Sequence, residues 1–332
     1  MKGSYNVIVY NKDIHYDFIV RRNITIIRGD SGSGKTTLFN LIRDYDNIGI
    51  SSGIIVQCKK RCTVLSGANW KATLSGIHDC VVFIDEMSEF IKTTEFAEAI
   101  KNSDNYFVII TRDKLAMLPY SVEEIYGIHS SGTYNTLQGE YSGRSRVYNT
   151  FYKLYENRKM KRFNDFELIV TEDSNAGFEF FNSFNIKCVS AHGKSNVAGV
   201  IKANLNKRML VIADGAAFGP EMSDIDKLLS QYGSFDIFLP ESFEWLILKT
   251  SAIAIANLND ILENTEDYVE SLKFFSWENF FTDLLHDSTI GSIQAYTKSK
   301  LNPYYLGQGM KNKICSVIAS FGLILKDGMD IF

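Results

Sequence analysis

Proline and cysteine are both scarce in this sequence, with four and five residues among 332. The cysteines form no CxxC pair and the histidines show no HExxH spacing, so the sequence indicates neither a disulfide framework nor a zinc site. Few prolines, 45% apolar residues and 22% charged residues are typical of an ordered globular protein. At this length we expect roughly two domains, each with its own core.

Long apolar runs and a strong charge bias are missing as well. The N-terminal stretch MKGSYNVIVYNK lacks the apolar core of a signal peptide, and no later stretch approaches about 18 uninterrupted apolar residues. We therefore expect a cytoplasmic protein without a membrane partner. The formal net charge of −4 argues against a surface that coats nucleic acid indiscriminately, but it leaves a local basic groove open.

Glycine is concentrated in one short stretch that fits the phosphate-loop pattern GxxxxGK[ST]. The pattern covers Gly29, Asp30, Ser31, Gly32, Ser33, Gly34, Lys35 and Thr36, with Thr37 following. The β-branched run NITIIRG before it favours a strand, and TTLFNLIRDY after it favours a helix. Glycines let backbone N–H groups close around a phosphate, and Lys35 would reach its β/γ oxygens. We expect residues 29–37 to bind ATP, with Thr36 as a ligand of Mg²⁺.

A second stretch, CVVFIDEM, supplies the acids that such a loop needs. Its apolar residues predict a buried strand that ends at Asp85, where a carboxylate can face the loop across the sheet. Asp85 is interpreted as a metal ligand, and Glu86 as the base that polarises the attacking water, so that Glu86 and Lys35 are the candidate catalytic residues. The alternative is an acidic turn after a core strand.

A third strand, YFVIITRD, ends in Thr111 and Arg112. Thr111 is a candidate for sensing the γ-phosphate, and Arg112 for contacting the nucleotide of a partner subunit. An equally good interpretation is that both are strand-end residues bonded to local backbone.

Residues 1–130 resemble the nucleotide-binding core of ABC-type ATPases, within the wider class of ABC/AAA-like P-loop ATPases. The resemblance lies in the paired strands YNVIVY and IHYDFIV, then NITIIRGDSGSGKTTL and VVFIDEM. It departs at the LSGGQ signature, which should precede the second motif by a helix's length. Only Leu74-Ser75-Gly76 occurs, too close to the strand at Val81. The usual ATP-sandwich dimer is therefore in doubt, and an ABC transporter is not favoured.

A polar and then basic stretch follows and contains a domain boundary. We predict a P-loop ATPase domain over 1–145, a basic linker over 146–164, a second domain over 165–250 and a helical region over 251–332. The basic stretch would line a nucleic-acid groove with stacking tyrosines, or it is a solvated connecting helix, which we favour. Its residues are Arg144, Arg146, Lys153, Arg158, Lys159, Lys161 and Arg162, with Tyr148, Tyr152 and Tyr155.

From residue 166 the chain alternates as βαβαβαβ, which predicts a small parallel sheet with right-handed crossovers. The first predicted strand stops at Glu172-Asp173 and the third at Asp214-Gly215. Because ligands bind at the carboxyl ends of such strands, carboxylates there are candidate Mg²⁺ ligands.

This part resembles the Toprim domain of primases, topoisomerases and overcoming-lysogenization-defect nucleases, over roughly residues 166–250. The resemblance lies in IVTEDSNAGFEFF, VSAHGKSNV and VIADGAAFG. It implies that Glu172 and Asp214 bind a divalent metal. Ala216 stands where the second acid of DxD belongs, and Asn175 where an Asp is usual, so a degenerate, binding-only domain remains open. A generic flavodoxin-like sheet with capped strand ends is a further alternative.

After residue 250 the segments SAIAIANLNDILENTEDYVESLKFF, WENFFTDLLHD and KNKICSVIASFGLIL predict helices that cap the sheet. Asp224 and Glu244 are considered as metal ligands in place of the acid that Ala216 lacks. We interpret Lys298, Lys300, Tyr304 and Tyr305 as scattered surface residues rather than ligand contacts.

The predicted fold class is α/β, with a P-loop NTPase sheet that carries N-terminal antiparallel strands, then a small parallel Toprim-like sheet with a helical C-terminal cap. The leading functional hypothesis is an ATPase that uses ATP and Mg²⁺ and gates a Toprim-like domain acting on nucleic acid, DNA in particular, in phage defence or repair. The alternative is a nucleotide-gated interaction module without nuclease activity, working as a homo-oligomer or on a partner protein. A small-molecule phosphotransferase would need an arginine-bearing lid, for which no segment is clearly suited.

Overall fold

The computed structural model describes residues 1–29, 32–136, 145–156 and 165–325, with only the backbone described for 131–136 and 145. The chain forms two compact units. Unit 1 comprises residues 1–157 and 264–275, and unit 2 comprises residues 158–263 and 276–332.

Unit 1 is built on a mixed sheet of nine strands among the described residues, in the order β4-β1-β2-β9-β8-β3-β7-β6-β5. The strands are β1 (Tyr5–Tyr10), β2 (Ile14–Val20), β3 (Ile24–Arg28), β4 (Ile55–Gln57), β5 (Cys62–Val64), β6 (Val81–Ile84), β7 (Tyr106–Ile110), β8 (Ile125–Thr136) and β9 (Ser145–Lys153). β1 and β2 pair as an antiparallel hairpin, as the sequence predicts. Strands β8, β3, β7, β6 and β5 pair in parallel with one another, and β8 pairs antiparallel with β9 on its other side.

The centre of this sheet is buried on both faces because its strands carry apolar residues without alternation. All five residues of β3, all four of β6 and all five of β7 are buried. Three helices accompany the sheet: α1 (Lys35–Ile48), α2 (Trp70–Leu74) and α3 (Thr94–Lys101). Helix α1 places Leu38, Leu41 and Ile42 in the core, at the spacing that the sequence indicates.

Unit 2 contains a separate four-stranded parallel sheet in the order β11-β10-β12-β13. Its strands are β10 (Leu168–Thr171), β11 (Lys187–Ser190), β12 (Met209–Ile212) and β13 (Phe235–Phe238). Its helices are α4 (Ala176–Phe181), α5 (Val197–Ala203), α6 (Met222–Gln231), α7 (Phe243–Lys249), α8 (Leu258–Glu263), α9 (Trp277–Thr289) and α10 (Gln308–Ser320). The α/β class is thus confirmed, with one large mixed sheet and one separate parallel sheet.

The observed limits differ from the sequence-based ones around residue 150. Part of the predicted basic linker, which we favoured as a connecting helix, is strand β9, paired with β8 and β2 inside unit 1. Its alternating pattern of β-branched and aromatic residues prevails over its basic charge. Lys153 is paired with Glu123 at 2.5 Å, and the Tyr148 ring lies 4.9 Å from that of His15. Residues 137–144 and 157–164, with five of the seven basic side chains named above, lie outside the described residues.

The helical structure predicted over residues 251–275 is confirmed only in part. Only α8 and a 3₁₀ turn at Thr265–Asp267 form there. Ser251 and Asn257 adopt left-handed φ values of 53° and 56°, which interrupt a right-handed helix. The Asn23 side chain donates hydrogen bonds to the carbonyls of Ser271 and Phe274, so this backbone is bonded within unit 1 instead.

The predicted helices around Trp277–Thr289 and Gln308–Ser320 are confirmed. Across the described residues, every helix is too short or too polar to cross a bilayer.

Candidate functional site

The phosphate-loop segment joins buried strand β3 to helix α1 through a backbone that favours glycine. Gly29, Gly32 and Gly34 have φ values of 145°, 83° and 88°, in the region that side-chain-bearing residues rarely adopt. A Cβ atom at Gly34 would lie 2.8 Å from the hydroxyl oxygen of Tyr16, which donates a 2.8 Å hydrogen bond to the Gly34 carbonyl. Position 34 at this helix start therefore requires glycine, both for its backbone conformation and because a side chain would collide with Tyr16.

Lys35 is held over this loop by the loop's own oxygens. Its Nζ donates to the Gly29 carbonyl at 2.7 Å and to Ser33 Oγ at 3.0 Å, and the residue is only 5% exposed. The ammonium thus lies beside the first turn of α1, where no acidic residue opposes a bound anion. Thr36 and Thr37 are exposed on that turn, whereas Asp30 and Ser31 lie outside the described residues.

Asp85 follows β6 at the edge of the sheet where the phosphate loop begins. Ile84 is level with Ile109 of β7, which is level with Ile26 of β3. Asp85 and the loop are therefore separated by about two strand spacings, roughly 10 Å. Parallel pairing through β7 brings the acid and the loop to one edge, as the sequence predicts.

One carboxylate oxygen of Asp85, Oδ1, is buried and finds no hydrogen-bond partner among the residues that the structure describes. Leaving a buried acceptor unsatisfied costs about 1–3 kcal/mol, and more for a charged group. A divalent cation with its water shell supplies what this oxygen lacks, so the residues present fit Mg²⁺ here.

Asp85 is one of the residues that line a cavity of about 560 Å³. Residues of α1 and of the loops after β5 and β6 line it, including Arg43, Trp70 and Phe90. The volume lies within the range of small-molecule pockets, so the carboxylate is accessible to a ligand of that size.

Glu86 is paired with Arg112, whose Nε lies 3.6 Å from Glu86 Oε2. The two side chains are 33% and 56% exposed, and such pairs contribute about 0–1 kcal/mol, so Glu86 is only weakly held. The Thr111 hydroxyl is fully buried and accepts a 3.0 Å hydrogen bond from the Asp113 N–H. For Thr111 this matches the alternative of a strand-end residue bonded to local backbone.

Leu74, Ser75 and Gly76 lie at the end of a five-residue helix rather than at the start of a long one. The Ser75 N–H donates to the Lys71 carbonyl, which closes α2. The departure from the ABC signature that the sequence shows is therefore structural as well.

In unit 2, Glu172 and Asp214 meet at the carboxyl edge of the parallel sheet. Thr171 of β10 is level with Ile212 of β12, and the Asp214 N–H donates to Glu172 Oε2 at 3.1 Å. The two predicted acids are brought together, and their role as metal ligands stays a prediction.

Burial changes the protonation of these acids. Burial raises the pKa of Glu172 from 4.5 to about 7, against a hydrogen bond from the Asp214 N–H that lowers it. Burial also raises the pKa of Asp214 well above its ordinary value, helped by the negative charges of Glu278 and Glu172. The pKa of Asp173 is raised by burial too. Carboxylates that crowd together in an apolar setting hold protons more tightly.

Two residues of this site, Tyr296 and Glu278, were missed by the sequence interpretation, and a third, Lys298, was assigned to the surface. The Lys298 ammonium is paired with Glu278 of α9. The Tyr296 hydroxyl donates a 2.6 Å hydrogen bond to Glu244 Oε1 on α7. These residues lie far along the chain from Glu172, and only the packing of the C-terminal segment brings them to the sheet edge.

Asp224 and Glu244, the two acids considered from the sequence as substitute metal ligands, lie in different surroundings. Glu244 lines the same small cavity as Glu172 and Asp214, whereas Asp224 is half-exposed on α6 with Lys227 Nζ 3.9 Å away. Ala216 is buried, and its N–H donates to the Glu241 carbonyl.

The fit of a divalent metal in unit 2 is poor. The cavity measures about 20 Å³, which is close to the space of one water molecule, and Lys298 is part of its wall. Over the described ranges, no cluster of three or more His, Cys, Asp or Glu side chains has the geometry to hold a metal ion.

Two curated proteins match a short part of the chain. A putative ABC transporter ATP-binding protein of Mycoplasma genitalium is 56% identical over 41 residues, covering 12% of this chain and 13% of that protein. Its homolog in Mycoplasma pneumoniae is 54% identical over 41 residues, or 12% of each chain. No family model and no solved structure matches. The chain therefore spans a small fraction of these relatives, and the likeness supports an ATP-binding P-loop ATPase region.

Proposed function

We propose that unit 1 binds MgATP through residues 29–37 and hydrolyses it slowly. The observation that carries this proposal is the buried Oδ1 of Asp85, which has no hydrogen-bond partner in the described part of the chain and lies at the sheet edge where the phosphate loop begins. The likeness to ABC ATP-binding proteins points the same way.

The roles of the side chains follow from their positions. Lys35 lies within the loop, where it would meet the β/γ oxygens, and Thr36 and Asp85 would hold Mg²⁺, which would neutralise phosphate charge. The Glu86 carboxylate first separates from Arg112 and then orients the attacking water. The weakness of this half-exposed ion pair permits Glu86 to exchange the arginine for the water.

The test is isothermal titration calorimetry of the full chain with MgATP. Lys35→Ala removes the charge that meets the phosphates, so binding should fall at least 100-fold. Lys12→Ala, which removes an exposed lysine between β1 and β2, is the matched control and should bind like the parent chain. Unchanged affinity of Lys35→Ala would refute the proposed site.

For unit 2 we propose a binding role controlled by the nucleotide state of unit 1, acting on a partner protein or a second copy of the chain and without cutting nucleic acid. Ala216, Asn175 and the position of Lys298 in the wall of the small cavity at Glu172 and Asp214 support this role.

The second candidate is a metal-dependent Toprim-like action on nucleic acid, DNA in particular, and the adjacency of Glu172 and Asp214 favours it. Incubation of single- and double-stranded DNA and of RNA with the purified chain and Mg²⁺ or Mn²⁺, with and without ATP, separates the candidates. Cleavage that Asp214→Asn abolishes would establish the second candidate and refute the binding-only role.

A further inference from the structure

Five carboxylates converge at the carboxyl edge of the unit 2 sheet, and we call this group the acidic pocket. Its members are Glu172, Asp173, Asp214, Glu244 and Glu278. They come from the ends of β10 and β12 and from helices α7 and α9. Such a concentration of negative charge needs cations or protons to be stable.

Lys298 meets this requirement from a well-anchored position. Its ammonium pairs with Glu278 and lies in the field of Glu244 and Asp214, and these charges raise its pKa although burial opposes them. Its carbonyl accepts a 3.1 Å hydrogen bond from the Ala176 N–H at the start of α4. Nearby, the Leu301 N–H donates to Glu179 Oε2 at 2.9 Å, which ties the same segment to α4. The lysine is therefore built into the pocket.

Glu244 provides an independent observation. It is 1% exposed, its Oε1 accepts from Tyr296, and its Oε2 has no hydrogen-bond partner within the described part of the chain. This oxygen belongs to a residue that lines the same cavity as Lys298. A buried carboxylate oxygen without a donor is stabilised chiefly by a nearby positive charge, and Lys298 supplies one.

We propose that the ammonium of Lys298 takes the place of a divalent cation in the acidic pocket, so that unit 2 carries its own counterion and excludes Mg²⁺ and Mn²⁺. An ammonium and a divalent ion cannot share a cavity of about 20 Å³, because they repel each other and compete for the same oxygens. Hard divalent cations prefer carboxylate oxygens, so without the ammonium the carboxylates of the pocket offer ligands of that chemistry, although in the parent chain no three of the described acids stand in metal-binding geometry. This inference rests on the proposed binding-only role of unit 2. It explains the absence of cutting in that role by the exclusion of the divalent cation.

The experiment titrates the full chain with Mn²⁺ in the absence of nucleotide and follows free Mn²⁺ by electron paramagnetic resonance. Lys298→Met removes the charge at similar length and should gain a Mn²⁺ site at least ten-fold tighter than any in the parent chain. Adding Asp214→Asn to this variant should abolish the gain. Lys300→Met, an exposed lysine two residues away, is the matched control and should bind Mn²⁺ like the parent.

Two further chains keep the inference testable if Lys298→Met folds poorly. Lys298→Arg keeps the charge and should gain no site, and parent and Asp214→Asn chains should bind Mn²⁺ alike. A parent site that Asp214→Asn removes, or a folded Lys298→Met chain that gains none, would overturn the inference. Because MgATP binding is measured separately with Lys35→Ala, a failure of the unit 1 proposal is distinguishable from a failure here.

Discussion

The two units place acids at the same kind of position and balance them differently. In unit 1, Asp85 follows a buried parallel strand, and its Oδ1 has no hydrogen-bond partner among the described residues. In unit 2, Glu172 and Asp214 also follow buried parallel strands, but Lys298 and Glu278 complete a pocket around them. On our proposals, an acid at a strand edge of this protein binds a ligand only where no side chain of the same protein already provides the opposite charge.

The largest expected effect concerns hydrolysis in unit 1. Glu86→Gln removes the base but keeps the shape of the side chain, so the hydrolysis rate should fall about 100-fold or more while MgATP still binds. Phosphate release and calorimetry measure the two quantities on one preparation. Glu98→Gln, an exposed acid on α3, is the control. Hydrolysis by Glu86→Gln at the parent rate would show that Glu86 is a structural residue, and unit 1 would then differ from unit 2 in ligand binding alone.

The next prediction compares one acid from each unit. Asp85→Asn replaces a half-buried carboxylate, whose Oδ1 has no hydrogen-bond partner among the described residues, by a neutral amide, so it should raise the free energy of unfolding of the ligand-free chain by about 1 kcal/mol. It should also lower MgATP affinity about ten-fold, because a metal ligand is lost. Asp214→Asn should leave MgATP affinity unchanged. Urea denaturation and calorimetry check both variants.

Two results would contradict this comparison. Destabilisation of the ligand-free chain by Asp85→Asn would show that the carboxylate has a partner in solution. Weaker MgATP binding by Asp214→Asn would show that the acidic pocket belongs to the nucleotide site.

The smallest effect is a pH dependence of stability. Because the pKa of Glu172 is raised from 4.5 to about 7 by burial, the folded chain binds more protons than the unfolded chain between these values. The free energy of unfolding should therefore fall as the pH rises from about 5 to 7, and level off above. Glu172→Gln should reduce this fall by about 1–2 kcal/mol, since one pKa unit corresponds to about 1.4 kcal/mol.

Urea denaturation at pH 5 and pH 8 measures the difference. Glu167→Gln, an exposed carboxylate just before β10, is the control and should keep the parent pH dependence. An unchanged slope in Glu172→Gln would mean that Glu172 is already ionised at pH 5, in the field of Lys194.

The sequence by itself determined the parts of the molecule that depend on local rules. Glycines at positions with positive φ, a lysine after them and a helix-forming stretch define the loop between β3 and α1. Unbroken apolar runs define β6 and β7, and alternating βα segments define the parallel sheet of unit 2, since each pattern reflects burial that neighbouring residues share.

Only the tertiary structure decided which distant residues meet. The basic residues of Ser145–Lys153 indicate a linker in the sequence, and its β-branched and aromatic residues become a strand only through pairing with the distant strands β2 and β8. The segment 264–275 joins unit 1 through Asn23, whereas the sequence places it in the helical region that caps the second sheet. In the sequence, Lys298 is interpreted as a surface lysine. It becomes a counterion because α9 and the segment after it lie at the edge of a sheet whose strands come much earlier in the chain. The electrostatic field at a point depends on all charges near it in space, and the sequence orders those charges only along the chain.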